Sequence, residues 1–239
     1  MSNPVLRLSA LALAAGSLGA APPPGAADPA AMLGQPMQIA LLLAALSLLP
    51  AVIMSVTPFL RITLVLHFLR QALGTQTAPS NQVLLGLALF LTAVVTQPLT
   101  GQLNEVSWAP YRAGSKTLEQ AAADGAPPLR AYLLKFAREK DIGLILEISK
   151  SLPPKTSAAL DLRVLMPAYM LSELRAGFQI GAVLFFPFLV IDLVVASVTL
   201  AIGMVQLPPA MISAPFKILL FVLVDGWSLV VGSLVRSFG

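Results

Sequence analysis

The chain contains no cysteine and only one histidine, His67. No disulfide frame, thiolate nucleophile or Cys-ligated metal site can therefore be built from it, and a metal site that needs a second histidine is excluded by count. Charge is equally scarce: 11% of residues are charged, where a soluble domain carries about a quarter. A normal water-facing surface over the whole chain is not available at that density. The net charge of +4 is modest, and most basic residues interleave with acids, which argues against the basic stripe of a nucleic-acid binder. There is no G-x-x-x-x-G-K-S/T loop to cradle phosphates and no G-x-S-x-G elbow. No catalytic constellation and no cofactor site is expected.

What the chain does have is apolar length: 57% of its 239 residues are hydrophobic, and its mean hydropathy is +0.84. The membrane class is the first reading. Most charges fall in residues 104–175, with two apolar regions before that stretch and two after it. The expected division is a signal peptide over 1–27, a first hydrophobic hairpin over 28–103, a charged extramembrane segment over 104–175 and a second hydrophobic hairpin over 176–239. The signal reading rests on Arg7, on an Ala/Leu run over 8–18 too short to span, and on small residues that would allow cleavage after Ala20 or Ala27.

The first apolar region, 37–60, is long enough for a bilayer core, which needs roughly 20 residues. Pro50 and Pro58 predict a kink in it. Arg61, His67 and Arg70 follow on an amphipathic continuation, and 74–81 reads as a turn. The second region is 83–103, the third 178–205 with Pro187 and Asp192, and the fourth 212–235 with Pro215, Lys217 and Asp225. Pro208 and Pro209 divide the last two into an antiparallel hairpin. Within the charged segment, 129–148 alternates charges with Leu, Phe and Ile at helical spacing and predicts one amphipathic helix bounded by prolines, with Glu139, Asp141 and Glu147 on its solvated face. Basic residues without an acid near Arg70 place that turn in the cytoplasm and the charged segment outside it.

Asp192, Lys217 and Asp225 are costly in apolar helices, about 2.5–3.5 kcal/mol each at a bilayer centre on insertion scales. With Arg61 they are candidates for a structural or intersubunit polar role; an ion relay is the sharper alternative. Lys217 and Asp225 are roughly 12 Å and 80° apart on a straight helix, too far to bond. Asp192 and Asp225 fall at equal distance from the Pro208–Pro209 fold, where two acids would repel, so at least one is expected to find a basic partner on another subunit. Gly177 and Gly181 form a G-x-x-x-G pair suited to close helix packing. Met204 and Met211 flank the hairpin loop and could fill irregular gaps.

Three stretches carry a resemblance. Residues 63–92 read TLVLHFLRQALGTQTAPSNQVLLGLALFLT, 167–181 read PAYMLSELRAGFQIG, and 208–234 read PPAMISAPFKILLFVLVDGWSLVVGSL. All three resemble blocks of the FliP family, the P component of the flagellar type III export gate, in a similarity that runs from about Leu41 to Phe238. The resemblance implies an all-α membrane protein of two helical hairpins and an outer domain. Several copies would wind with the Q and R components into a helical channel, largely above the membrane plane at the base of the flagellar rod, with the B and A components as further partners. Unfolded flagellar subunits would pass through it, driven by energy supplied elsewhere, so this component would catalyse nothing. The family's methionine-rich gasket loop would fall on Met204, Val205 and Gln206. Only Met204 keeps the methionine, so the expected constriction is Met204 with Val205 and Leu207, an apolar ring that holds back water by dewetting. Lys217 and Asp225 match the family's PFK and VDGW blocks, which favours a structural or intersubunit role for both. Two other readings stay open: the homologous R component of a virulence injectisome, and a small-molecule or ion transporter with Asp192 as its coupling residue.

Overall fold

The computed structural model describes residues 35–75, 78–150, 156, 159–203 and 208–239. The signal segment 1–27 and the gasket residues Met204, Val205, Gln206 and Leu207 lie outside the described residues. Every regular element within them is helical: α1 (Gln35–Val56), α2 (Phe59–Ala72), α3 (Asn81–Leu103), a π-helical turn (Asn104–Trp108), α4 (Ala109–Arg112), α5 (Leu118–Phe136), α6 (Glu139–Ile148), α7 (Leu162–Ala201), α8 (Pro209–Leu223) and α9 (Gly226–Arg236). The chain divides between Leu49 and Pro50. The first unit contributes the start of α1; the packing and the polar contacts described below belong to the second.

The helix starts follow from local chemistry. Ser80 Oγ accepts from the Val83 N–H at the head of α3. Thr117 and Gln120 form a reciprocal capping box on α5, and Asp161 Oδ1 accepts from the Arg163 N–H on α7. Each satisfies donors that a helix start leaves orphaned, worth about 1 kcal/mol apiece.

α2 is the centre of the second unit. Ile62, Val65 and Leu66 are fully buried against Leu84, Ala88 and Leu91 of α3 and against Leu234 and Phe238 at the chain's end. Farther along, Leu69, Ala72 and Leu73 meet Phe188 of α7 and Phe221 of α8. On the other side of the unit, Leu133 of α5 packs with Leu165 and Tyr169 of α7. Burying each such Leu or Ile side chain stabilises the fold by about 1.5–3 kcal/mol.

α7 crosses α2 at the two glycines of the G-x-x-x-G pair. A Cβ at Gly177 would stand 2.8 Å from Leu64 Cδ2. One at Gly181 would meet the Phe68 ring closer still. The small-residue stripe thus lets two helices of the same chain approach.

Four features differ from the sequence reading. The predicted helix over 129–148 is two helices, broken where Ala137 and Arg138 turn extended (ψ 128° and 140°). The Arg138 N–H is captured by Ser172 Oγ of α7 at 2.9 Å, a tertiary partner that no local pattern announces. Pro127 and Pro128, the expected proline boundary, lie inside α5. α7 begins at Leu162, well before the apolar run at 178, and its 40 residues carry it continuously across the expected junction at 175/176. The fourth apolar region is bent by 67° between α8 and α9. There Asp225 adopts a left-handed backbone, φ 49°, and Gly226 lies so close to the Phe221 ring that no Cβ would fit.

Among the described residues, three helical stretches could cross a membrane by length and composition: Met37–Val56, Asn81–Arg112 and Leu162–Ala201. The bent pair α8 and α9 would make a fourth if counted as one span. At 1.5 Å per residue α7 is about 60 Å long, about twice a hydrocarbon core of ~30 Å. Three of its four charged residues, Arg163, Glu173 and Arg175, lie in its first half.

Candidate functional site

Three buried polar clusters hang on α7, each tying it to a different neighbour. The first joins α7 to α2. Arg61 Nε donates to Glu173 Oε2 at 2.8 Å and Arg61 Nη2 to Oε1 at 2.5 Å, a two-pronged fork that matches guanidinium to carboxylate. Side-chain exposure is 7% for Arg61 and zero for Glu173, so neither charge has water to fall back on. Arg61 Nη1 donates to the Ser237 carbonyl and hydroxyl oxygens at 3.2 and 3.1 Å. The guanidinium carbon also stands 4.1 Å from the Phe238 ring centroid. One cation thereby binds α2, α7 and the segment after α9.

Tyr132 and Tyr169 border this cluster, their ring centroids 6.3 Å apart. Both hydroxyls are buried and lack a hydrogen bond of good geometry. Burial pushes the Tyr132 phenol up to about 12; the Glu173 carboxylate pushes the same way, while the neighbouring Tyr169 hydroxyl and Arg61 oppose it.

The second cluster docks α6. Asp141, expected on a solvated face, is 1% exposed. Its Oδ2 accepts from the Ser172 hydroxyl at 2.7 Å. Arg175 Nη2 stands 3.0 Å from its Oδ1; this is ion-pair distance without hydrogen-bond alignment, since Oδ1 has no bonded donor. Because Ser172 also receives the Arg138 N–H, one hydroxyl holds both the break between α5 and α6 and the first turn of α6. Arg138 Nη2 reaches Gln179 Oε1 at 2.6 Å.

The third cluster closes the last hairpin. Lys217 Nζ donates to Asp192 Oδ2 at 2.6 Å, and the Ser213 hydroxyl donates to Oδ1 at 2.5 Å. Of the two acids Asp192 and Asp225, at least one of which is expected to find a basic partner on another subunit, Asp192 has its basic partner on the facing helix of its own chain. Residues 192, 213 and 217 meet at one level of the facing helices α7 and α8, whereas equal chain distance from the Pro208–Pro209 fold pairs residue 192 with 225. Lys217 Nζ lies 3.9 Å from the position a Cβ would take at Gly74, just past the end of α2. Its ammonium thus sits where the α2 dipole is negative. Asp225 belongs to none of the clusters: it is exposed at the α8–α9 bend.

In the sequence Asp192 and Lys217 stand out because they interrupt apolar runs, and Arg61 stands at the head of the amphipathic continuation. Sequence reasoning missed Glu173, Ser172, Tyr169 and Tyr132, which stand in mixed sequence where a polar residue is unremarked. His67 Nδ1 is 3.0 Å from the Thr63 carbonyl one turn earlier, and Arg70 Nη1 donates to Asn81 Oδ1 across the α2–α3 turn. Among the described residues no group of three or more His, Asp or Glu side chains could hold a metal ion. Among the described residues the buried charges of these clusters are paired with one another, so the arrangement braces helices.

The outside is as telling as the inside. Phe90 of α3 and Val183 of α7 are each 75% exposed, Leu223 of α8 is 73% exposed, and Met211 is 71% exposed. Apolar surface so extensive marks contact with lipid or protein.

The FliP family model matches residues 42–234. A flagellar biosynthetic protein FliP of Pectobacterium carotovorum subsp. carotovorum is 48% identical over 202 residues, covering 84% of this chain and 78% of that protein. One of Bacillus subtilis is 44% identical, covering 84% of this chain and 91% of that protein. One of Caulobacter vibrioides is 46% identical over 84% of this chain and 76% of its own length.

Proposed function

Since the chain belongs to the FliP family, we propose that it is a flagellar biosynthetic protein acting as a channel-forming component of the flagellar type III export gate. It passes unfolded flagellar subunits across the inner membrane at the base of the flagellum, and it does so without catalysis. The observation that carries the reading is the family match over most of the chain at 44–48% identity. The physical arrangement agrees with such a role. Polar side chains are spent on internal braces, while the outward faces of α3, α7 and α8 are apolar and suited to lipid or to neighbouring helices.

On this reading the partners are further copies of the chain, the Q and R components, and the B and A components, with the flagellar rod above. The basic turn near Arg70 faces the cytoplasm and the segment 104–175 faces the periplasm. The constriction falls to Met204, Val205 and Leu207, in the segment that joins α7 to α8. The tight Asp192–Lys217–Ser213 cluster two to three helical turns from that segment supports the assignment, because a seal requires a rigid mount.

The test is a clean in-frame deletion, scored for hook protein and flagellin in the culture medium and for motility. Loss of both proteins from the medium, restored by the gene on a plasmid, is expected. Intact motility with lost secretion of virulence effectors would move the chain to an injectisome, and no change in either would end the export reading.

A further inference from the structure

The π-helical turn Asn104–Trp108 sits between the charge-free run of α3 and the charged segment that follows it. Its origin is chemical. Pro110 has no N–H to give the carbonyl of Val106 four residues back, and Lys116 Nζ donates to that carbonyl at 2.8 Å. The Ala109 N–H reaches back five residues to the Asn104 carbonyl, and the Ser107 hydroxyl donates to the Ala121 carbonyl of α5 at 2.7 Å. The turn is therefore held from outside on two sides.

What it presents is an exposed aromatic pair. Trp108 is 54% exposed and Tyr111 36%, with ring centroids 5.9 Å apart. Neighbouring Val106 is 39% exposed. Just beyond, Lys116 pairs with Asp124 at 2.7 Å.

The spacing along the helix fits a bilayer. The apolar run 83–103 extends about 31 Å at 1.5 Å per residue, the thickness of a hydrocarbon core at ~30 Å. Trp108 then lies about 7 Å past its end. The polar interface on each side of a bilayer is about 5–8 Å thick. Tryptophan and tyrosine concentrate at that level because their rings are apolar and their N–H and O–H groups seek water. The ion pair of Lys116 and Asp124 marks the water beyond. A second protein copy would need no such match of length to level.

We infer that Trp108 and Tyr111 anchor the end of α3 that leads into the charged segment in the phospholipid headgroup layer, and that the π-helical turn is what aims them there before the chain joins its partners. The inference rests on α3 lying in a membrane and not on the export role, and its test reads depth directly. The probe is the full chain carrying Trp227→Phe, which leaves Trp108 as its sole tryptophan, reconstituted in phosphatidylcholine vesicles with bromines placed either near the headgroup or near the chain ends. The expected result is blue-shifted emission that shallow bromines quench more strongly than deep ones. Stronger quenching by deep bromines would put the ring in hydrocarbon and overturn the inference. So would water-like emission quenched only by aqueous acrylamide, or blue-shifted emission quenched by neither, which would mean a protein interface. A Trp227→Phe chain whose helical circular dichroism and thermal unfolding match those of the wild type verifies that the fold survives the change.

Discussion

Removing Glu173 should unfold more of this protein than removing any exposed charge. In Glu173→Ala the Arg61 guanidinium loses both prongs of its fork, at 2.5 and 2.8 Å, and remains at 7% side-chain exposure. A buried charge stripped of its partner costs about 3–5 kcal/mol. Screening by solvent gives little relief at that exposure, and the total stability of a domain is only about 5–15 kcal/mol. The Ser237 oxygens and the Phe238 ring still touch Arg61, which places the expected cost toward the lower end of the range. The companion variant is Arg61→Met with Glu173→Met, which fills the site with apolar atoms and removes both desolvation costs. Such replacements are often neutral or stabilising by 1–4 kcal/mol. Thermal unfolding of the detergent-solubilised chain, followed by helical circular dichroism and by protease resistance, measures both. The expected order is wild type and double variant together, with Glu173→Ala well below them. A single variant that unfolds within about 1 kcal/mol of wild type would refute the argument, because it would mean that water reaches Arg61 or that the charge is paired elsewhere.

Other expectations can be checked, the first two on the same preparation and the last in cells. Gly181→Ala should destabilise by about 1–3 kcal/mol, as overpacking does, because its Cβ would overlap the Phe68 ring; Phe68→Leu in the same chain should recover part of the loss, and a Gly181→Ala chain as stable as wild type would contradict the close crossing of α2 and α7. Tyr132 should ionise only near pH 12, seen as a late tyrosinate absorbance step that Tyr132→Phe abolishes. Since its folded value lies above the ordinary 10.0, the stability it contributes is full below about pH 10 and is lost as pH rises toward 12. Met204→Ala in the assembled gate should raise leakage of ions and small solutes, measured by indicator uptake into energised cells; leakage no greater than wild type would remove Met204 from the constriction.

The helical class, the apolar stretches and the membrane setting were legible in sequence because they depend on composition and local periodicity. Lys217 and Asp192 were legible as anomalies, since a charge inside an apolar run must be explained by something. The break at Ala137 and Arg138 was not: neither residue is a helix breaker, and the extended conformation is held by a hydroxyl 34 positions away at Ser172. Asp141 looked solvated for a similar reason, because alternation with Lys140 and Ile142 is what a surface helix also shows. Gly177 and Gly181 advertised close packing without naming the helix that would approach.

The sequence alone therefore determined what each stretch could tolerate: helix, hydrocarbon, or water. Hydrophobic burial is non-directional and local pattern is enough to register it. Only the tertiary structure decided which charge meets which. The Arg61–Glu173 fork spans 112 positions and the Asp192–Lys217 pair 25, and no periodicity links residues so far apart. Hydrogen bonds and buried ion pairs demand distances and angles that exist only once α7 has been laid across α2 and folded back onto α8.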